Sequence, residues 1–411
     1  MDFITRYKKI FFVTGFFLSV FLIGFLLYTL FFKPLSPVSN VTPPATSTPP
    51  GGFPSAGTST GGQITTDPGQ FPPGNYPGLK EADPVAKGGL TVATSLIESP
   101  ISGLAFDHNG TGVRYYNKED GKFYRIDVNG EAHELSSKVF YEVQSITWSK
   151  NSEKAVLEYP DGANILYDFA SESQTTLPAH WKDFDFSPLS DELVMKSIGL
   201  DQENRWLAIT NSDGTKTRTL EPLGGSEEIV IPSWSPNNQT VAMYLSGGNF
   251  DQQNVYFIGQ NSENFKSLKV EGRGFDPLWS PKGDKLLYSV FSTATDLKPV
   301  LWVSNAAGDQ IGSGRKKIEL NTWASKCAFA DETRAYCAVP RQLENGAGLF
   351  PELSQNTNDD LYMIDISTGY KSLVAIPDGN YNMSSLIVTD GGRNLYYTDK
   401  NTGKLYKIKL Q

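Results

Sequence analysis

The sequence predicts an all-β protein, a seven-bladed β-propeller of four-stranded antiparallel blades, and three observations carry that expectation. The 411 residues include 19 Tyr, 24 Phe and 7 Trp, side chains that favour the pleated, half-buried surface of a strand. They also include 38 Gly and 25 Pro, more turn punctuation than a helical protein tolerates. The third observation is a repeat. Trp234-Ser235-Pro236 and Trp279-Ser280-Pro281 each precede a polar turn and an apolar strand, and Trp148-Ser149-Lys150 and Phe186-Ser187-Pro188 follow the same plan.

Weaker copies begin at Phe106, Phe329 and Val388, so the anchors stand 42, 38, 48, 45, 50 and 59 residues apart. A period of 40–50 residues with several short strands per unit marks a propeller blade. The fifth unit spells out its four strands as DPLWS, DKLLYSVF, PVLWVSN and KKIEL. The Trp is expected on the innermost strand, filling space between blades. The Ser-Pro-x-Gly/Asn that follows makes the hairpin turn, Pro setting φ and Gly or Asn accepting a positive one.

The chain before the first blade is different in kind. Residues 1–9 read as a cytoplasmic N-terminus, and residues 10–32 carry no charge and eight Phe. As a helix those 23 residues reach roughly 35 Å, enough for a hydrocarbon core of about 30 Å. Arg6, Lys8 and Lys9 precede them and only Lys33 follows closely, which places the N-terminus inside and the rest outside. The expectation is a single-pass cell-membrane protein with its propeller extracytoplasmic. Residues 33–86 hold 12 Pro, 8 Gly and 12 Ser or Thr with five charges, the composition of a disordered linker. A G-x-S-x-G match at 57–61 falls in this low-complexity run, without the strand and helix that motif needs.

The propeller is expected over residues 87–411. Its last unit stops 23 residues after its anchor, room for three strands, while residues 90–97 (LTVATSLI) have no blade of their own. That N-terminal strand is expected to complete the final blade and close the ring, removing an exposed edge. The first and last units agree at an offset of 282, with Gly110, Tyr115, Gly121, Lys122, Tyr124 and Ile126 identical in the later copy. Six blades is the alternative, because the sixth and seventh anchors are degenerate.

The WSPxG pattern resembles the repeat of TolB-like bacterial propellers, within the wider WD-repeat-like group, over roughly residues 99–411. The Gly-His and Trp-Asp pairs of true WD repeats are absent. The resemblance implies a protein- or ligand-binding platform of the cell envelope, usually without catalysis, and it transfers no functional residue.

Composition narrows the chemistry. A net charge of −9 without a basic stripe argues against a nucleic-acid partner. His108, His133 and His180 fit no zinc spacing, and no phosphate-loop, EF-hand or dinucleotide motif occurs, so neither a metal nor a cofactor is expected. Asp183 and Asp185, two apart on an inner strand, should point the same way and line the channel. Cys327 and Cys337 flank a turn at equal distance and should face each other on adjacent strands, within disulfide range.

Binding residues are sought in the loops between second and third strands. Those at Asp120-Gly121 and Asp161-Gly162 are tight, whereas the next four, around 200–204, 246–254, 291–299 and 340–360, use far more chain. The last is long enough to suggest a function. It carries Arg341, Glu344 and Phe350, and the loop two blades earlier carries Asn249, Phe250 and Asp251. Aromatic side chains among polar groups are reasonable anchors for a protein or envelope ligand. The alternative is a propeller enzyme on glycans or peptides, using paired carboxylates at the channel mouth.

Overall fold

The computed structural model describes residues 8–31, 81–107, 110–261, 263 and 265–411. The linker expected over 33–86 falls outside the described residues as far as residue 80, as do the 57–61 motif and His108. The chain divides into two compact units, 1–74 and 75–411.

In the first unit one helix, α1 (Lys8–Phe31), takes up the uncharged run. Its described side chains, at 16–26 and 28, are all exposed. The expected transmembrane helix is corrected to this extent: the helix forms, but among the described residues no helix is long and apolar enough to cross a membrane.

The second unit is a ring of seven antiparallel sheets. The fifth blade matches its sequence reading: Arg273–Trp279, Lys285–Phe291, Val300–Asn305 and Lys316–Ile318, in order from the inside out. In such a blade the loop between second and third strands shares one face of the ring with the blade-to-blade connection, here called the upper face. The two remaining turns lie on the lower face.

The repeat serine builds the lower turn four times over. Ser149, Ser187, Ser235 and Ser280 each accept a backbone N–H from the residue three places on, at 2.8–2.9 Å. That residue always has a left-handed backbone: Ser152 (φ 59°), Ser190 (φ 62°), Asn238 (φ 62°) and Gly283 (φ 70°). The serine hydroxyl then accepts the N–H five residues on, as from Thr240 at 2.9 Å and Lys285 at 3.1 Å. The turns also reach the neighbouring blade. Ser152 Oγ donates to the Phe106 carbonyl at 2.6 Å, and Asn237 Nδ2 to the Gly283 carbonyl at 2.7 Å.

The anchor tryptophans pack between blades as expected. Trp148 Nε1 donates to the Gly103 carbonyl of the preceding blade at 2.7 Å, and Trp279 Nε1 to Ser233 Oγ at 3.0 Å. Trp148 and Trp279 end their innermost strands, while Trp234 stands just beyond its own, Val230–Pro232. The core is correspondingly divided into seven clusters, one at each junction between blades. At the closing junction Ile101, Val113 and Tyr115 of the first blade meet Ile387, Tyr396 and Leu405 of the last.

Closure takes an unexpected form. The single strand expected over 90–97 is two strands, β1 (Gly89–Thr91) and β2 (Thr94–Ile97), and each joins a different blade. β2 pairs antiparallel with Leu405–Lys409 and supplies the missing outer strand of the seventh blade. β1 pairs parallel with Lys371–Pro377 as a fifth strand on the sixth blade. Val92 and Ala93 carry the chain between them, with the Ala93 N–H held by Asp378 Oδ1 at 3.0 Å. Deleting residues 81–97 opens the ring and bares two sheet edges, whereas deleting 17 residues from the interior of 33–80 touches neither. The first deletion should lower the melting temperature by many degrees and the second should leave it unchanged; equal melting temperatures would contradict closure by this segment.

Candidate functional site on the upper face

The upper loops of the fourth, fifth and sixth blades are tied to one another in series. In the fourth blade, Asp251 Oδ1 accepts the Thr293 N–H at 2.7 Å and Asp251 Oδ2 the Thr293 hydroxyl at 2.8 Å. The Thr293 amide thereby holds the Asp251 carboxyl below its ordinary value. Asn249 fixes the same loop, its side chain accepting the Asp251 N–H and its carbonyl a bond from Arg273 at 2.8 Å.

From the fifth blade, Asp296 and Leu297 continue the chain of contacts. Both have left-handed backbones, at φ 52° and 57°. That conformation is uncommon away from glycine and turns two successive carbonyls toward the sixth blade. They accept the N–H groups of Gly346 and Gly348 at 2.9 and 2.7 Å. Gly348 must lack a side chain, because a Cβ there would lie 2.6 Å from both the Leu297 oxygen and Phe291 Cβ. The 340–360 loop, long though it is, is therefore pinned along its length. Arg341 closes its base by an ion pair with Asp360 at 2.7 Å.

The sequence-predicted residues accordingly share one surface. Phe250 packs on Phe291, ring centroids 6.3 Å apart, and is still 46% exposed. Phe350 is 52% exposed at the start of a 3₁₀ turn, Pro351–Ser354, beside the exposed Leu349 and Leu353. Glu344 is exposed, and its backbone carbonyl accepts the Ala347 N–H at 3.3 Å.

Asp183 and Asp185 lie at an irregularity of the innermost strand Trp181–Phe186. A β-bulge lies between Lys182 and Asp185, with Asp183 in the left-handed region at φ 55°, so the two-residue alternation fails there. Each carboxylate has its own cation: Asp183 pairs with Lys196 and Asp185 with Lys150, both at 2.7 Å. Asp185 also accepts the Trp234 N–H at 2.6 Å and so joins the second, third and fourth blades. These are bracing contacts rather than a free acid pair.

Cys327 and Cys337 stand directly opposite in the strand register, Cα atoms 4.0 Å apart, and form a disulfide in the wall between the fifth and sixth blades. His133 lies on an outer strand, 3.2 Å from Asp127, and with Glu131 makes an accessible group on the lower rim. His180 rests against Trp181.

Sequence reasoning missed the most strongly built polar feature. Beside the 3₁₀ turn opens a cavity of about 420 Å³, bounded by the fifth, sixth and seventh blades. Lys326 and Lys400 line it, with Asn382, Asp276, Trp323 and Ser385 among the other walls. The Lys326 ammonium donates to Asp359 Oδ2 at 2.7 Å and to Asn382 Oδ1 at 2.9 Å. Asp359 is 1% exposed; its Oδ2 also accepts the Met383 N–H, and its Oδ1 is buried with no hydrogen-bond donor among the described residues. Asn382 is fixed in turn by the Ser354 and Gln355 carbonyls, both at 3.0 Å. Burial drives Lys326 below its ordinary pKa and Asp359 above its own, each restrained by the other. Burial likewise raises Asp276, whose carboxylate accepts the Ser325 N–H at 2.8 Å. Asp276 is the one carboxylate in the described lining.

No protein-family model matches the sequence, and no curated protein matches it. Solved structures do. The chain is similar to an oligogalacturonate lyase in complex with manganese, with a TM-score of 0.53 at 13% identity over 78% of this chain and 93% of that one. It is similar to the β-propeller domain of Myceliophteria thermophila Cps50 (Swd1), with a TM-score of 0.52 at 11% identity over 78% and 100%. TolB from Acinetobacter baumannii aligns at a TM-score of 0.41 and 11% identity over 67% and 63%. The first two likenesses establish the propeller fold.

The buried pair gives a direct test of the cavity wall. Asp359→Asn leaves the Lys326 charge buried without its counterion and should cost about 3–5 kcal/mol in urea unfolding. The double variant Lys326→Met, Asp359→Leu removes both charges and should recover most of that loss. A single variant as stable as the parent would show that the pair is not buried.

Proposed function

We propose that this chain is a non-catalytic binding platform displayed outside a cell membrane, with the upper loops of the fourth to sixth blades as its docking face. One observation carries the reading. Three loops, of which those of the fifth and sixth blades are longer than all the rest and that of the fourth is of ordinary length, are bonded into a single ridge, and that ridge holds Phe250 and Phe350 outward. Apolar side chains fixed in advance bind without a large ordering cost, and aromatic anchors commonly dominate interface energies. The cavity beside the ridge, with one carboxylate in its described lining, suits recognition better than acid–base chemistry on a glycosidic bond, which uses two.

Display outside the membrane rests on the sequence: an uncharged run over 10–32, basic residues before it, and a Pro-rich linker after it. Protease added outside intact cells or spheroplasts should cut within 33–80 and release a compact fragment carrying the propeller. Release only after the membrane is breached would reverse the orientation.

The docking face is tested separately. Chemical cross-linking in membranes should capture a partner with the parent chain and lose it with the double variant Phe250→Ala, Phe350→Ala. Both side chains are about half exposed, so the melting temperature should shift little. Undiminished capture by the double variant would place the docking face elsewhere.

A further inference from the structure

Lys326 and Lys400 face one cavity on a chain whose net charge is −9. Each ammonium has three protons to place. Lys326 gives two, to Asp359 and Asn382, and among the described residues no acceptor takes the third. Lys400 is exposed at the rim, and no acidic side chain among the described residues lies within ion-pair distance of it; its backbone N–H alone is committed, to the Asn382 carbonyl at 2.8 Å. The two cations are close enough that Lys400 makes Lys326 harder to protonate.

A buried ion pair such as Lys326–Asp359 seldom stabilises a fold more than apolar side chains of the same size would. Its geometry here does something else. Asp359 and Asn382 hold the ammonium at the cavity wall, and Ser354 and Gln355 hold Asn382. A fixed donor and a nearby cation with no ion-pair partner among the described residues, at one opening, form a site that gains by receiving an anion. Trp323 and Pro351 supply an apolar surface on the same walls. The volume of about 420 Å³ is in the range of small-molecule sites.

We infer that the cavity between the fifth, sixth and seventh blades binds a carboxylate carried on an apolar body, with Lys400 and the third Lys326 proton as its donors. The inference rests on the reading of the upper face as a recognition surface and names the chemistry it recognises. The carboxylate comes either from a small organic acid or from the docked partner, whose acidic group would enter the cavity beside Pro351–Ser354 while its apolar residues cover Phe350 and Leu353.

Phenylacetate is the probe and phenylacetamide, of the same shape without the charge, its control, both titrated into the full-length protein by calorimetry. A ligand of this size should bind with a dissociation constant of about 1 mM. The amide should bind at least tenfold more weakly. Lys400→Gln should weaken phenylacetate at least fivefold with no change in melting temperature, and Lys400→Arg should restore most of the affinity. No binding of phenylacetate at about ten times that concentration, equal binding of acid and amide, or indifference to Lys400→Gln would each overturn the inference.

A second arm separates the sources. Phenylacetate that competes with partner cross-linking assigns the carboxylate to the partner, and phenylacetate that binds without competing assigns it to a small acid. Failure of the ridge reading is distinguishable, because Phe250→Ala, Phe350→Ala would then leave capture intact while phenylacetate still depended on Lys400.

Discussion

Apolar contact between the faces of adjacent sheets is the interaction on which everything else here rests. Each blade is a small sheet, and an isolated sheet of four short strands has two faces to cover. The ring covers both by pressing every face on its neighbour, and the core is accordingly partitioned into seven clusters. Such a core is cyclic, so no cluster is terminal only if the last is made. The junction of Tyr115 and Val113 with Tyr396 and Leu405 is therefore as necessary as any other, although the residues joined stand nearly 300 positions apart. The two N-terminal strands secure it from outside. β2 holds the seventh blade and β1 the sixth, and the chain runs straight on from β2 into the first blade, so the entering segment ties the first blade to the last two.

Much of this was legible because the repeat is physical rather than decorative. A serine that caps the same turn four times, with a left-handed residue always three places on, forces the same residue types to recur at the same spacing. The blade count, the strand pattern of the fifth unit and the facing cysteines all follow from spacing along one or two strands. The expectation for residues 90–97 failed in detail because the apolar pattern of LTVATSLI does not register where a strand changes partners. The irregularity between Lys182 and Asp185 was hidden for a related reason. A bulge is set by how the strand must curve around the channel, and nothing in WKDFDF announces it.

The cavity was invisible for a different reason. Lys326, Asp359, Asn382 and Lys400 come from three separate loops and a strand, and each taken alone is an ordinary polar residue. Lys400 even corresponds to Lys118 in the matching first unit, where the comparison of units found only repeat structure. The Asp359-Asp360 doublet at the end of the longest loop was the one signal available: two carboxylates where the chain re-enters a sheet call for two cations. Arg341 answers one and Lys326 the other.

The division of labour between the two faces explains why recognition belongs on the upper one. Lower turns are committed to the ring. Ser152 bonds to Phe106, Asn237 to the Gly283 carbonyl, and the Asn151 N–H to Ser190 Oγ, so each turn locks onto a neighbouring blade. A longer or altered turn there would break a contact between blades. The upper loops carry no such repeated duty. Their bonds, from Asp251 to Thr293 and from Leu297 to Gly348, are unlike from blade to blade and serve only to hold one loop against the next. Length and composition can therefore vary above without loosening the ring below. Where a fold leaves one face free to vary and the chain then fixes that face by its own particular bonds, the fixed surface is the place to look for a ligand.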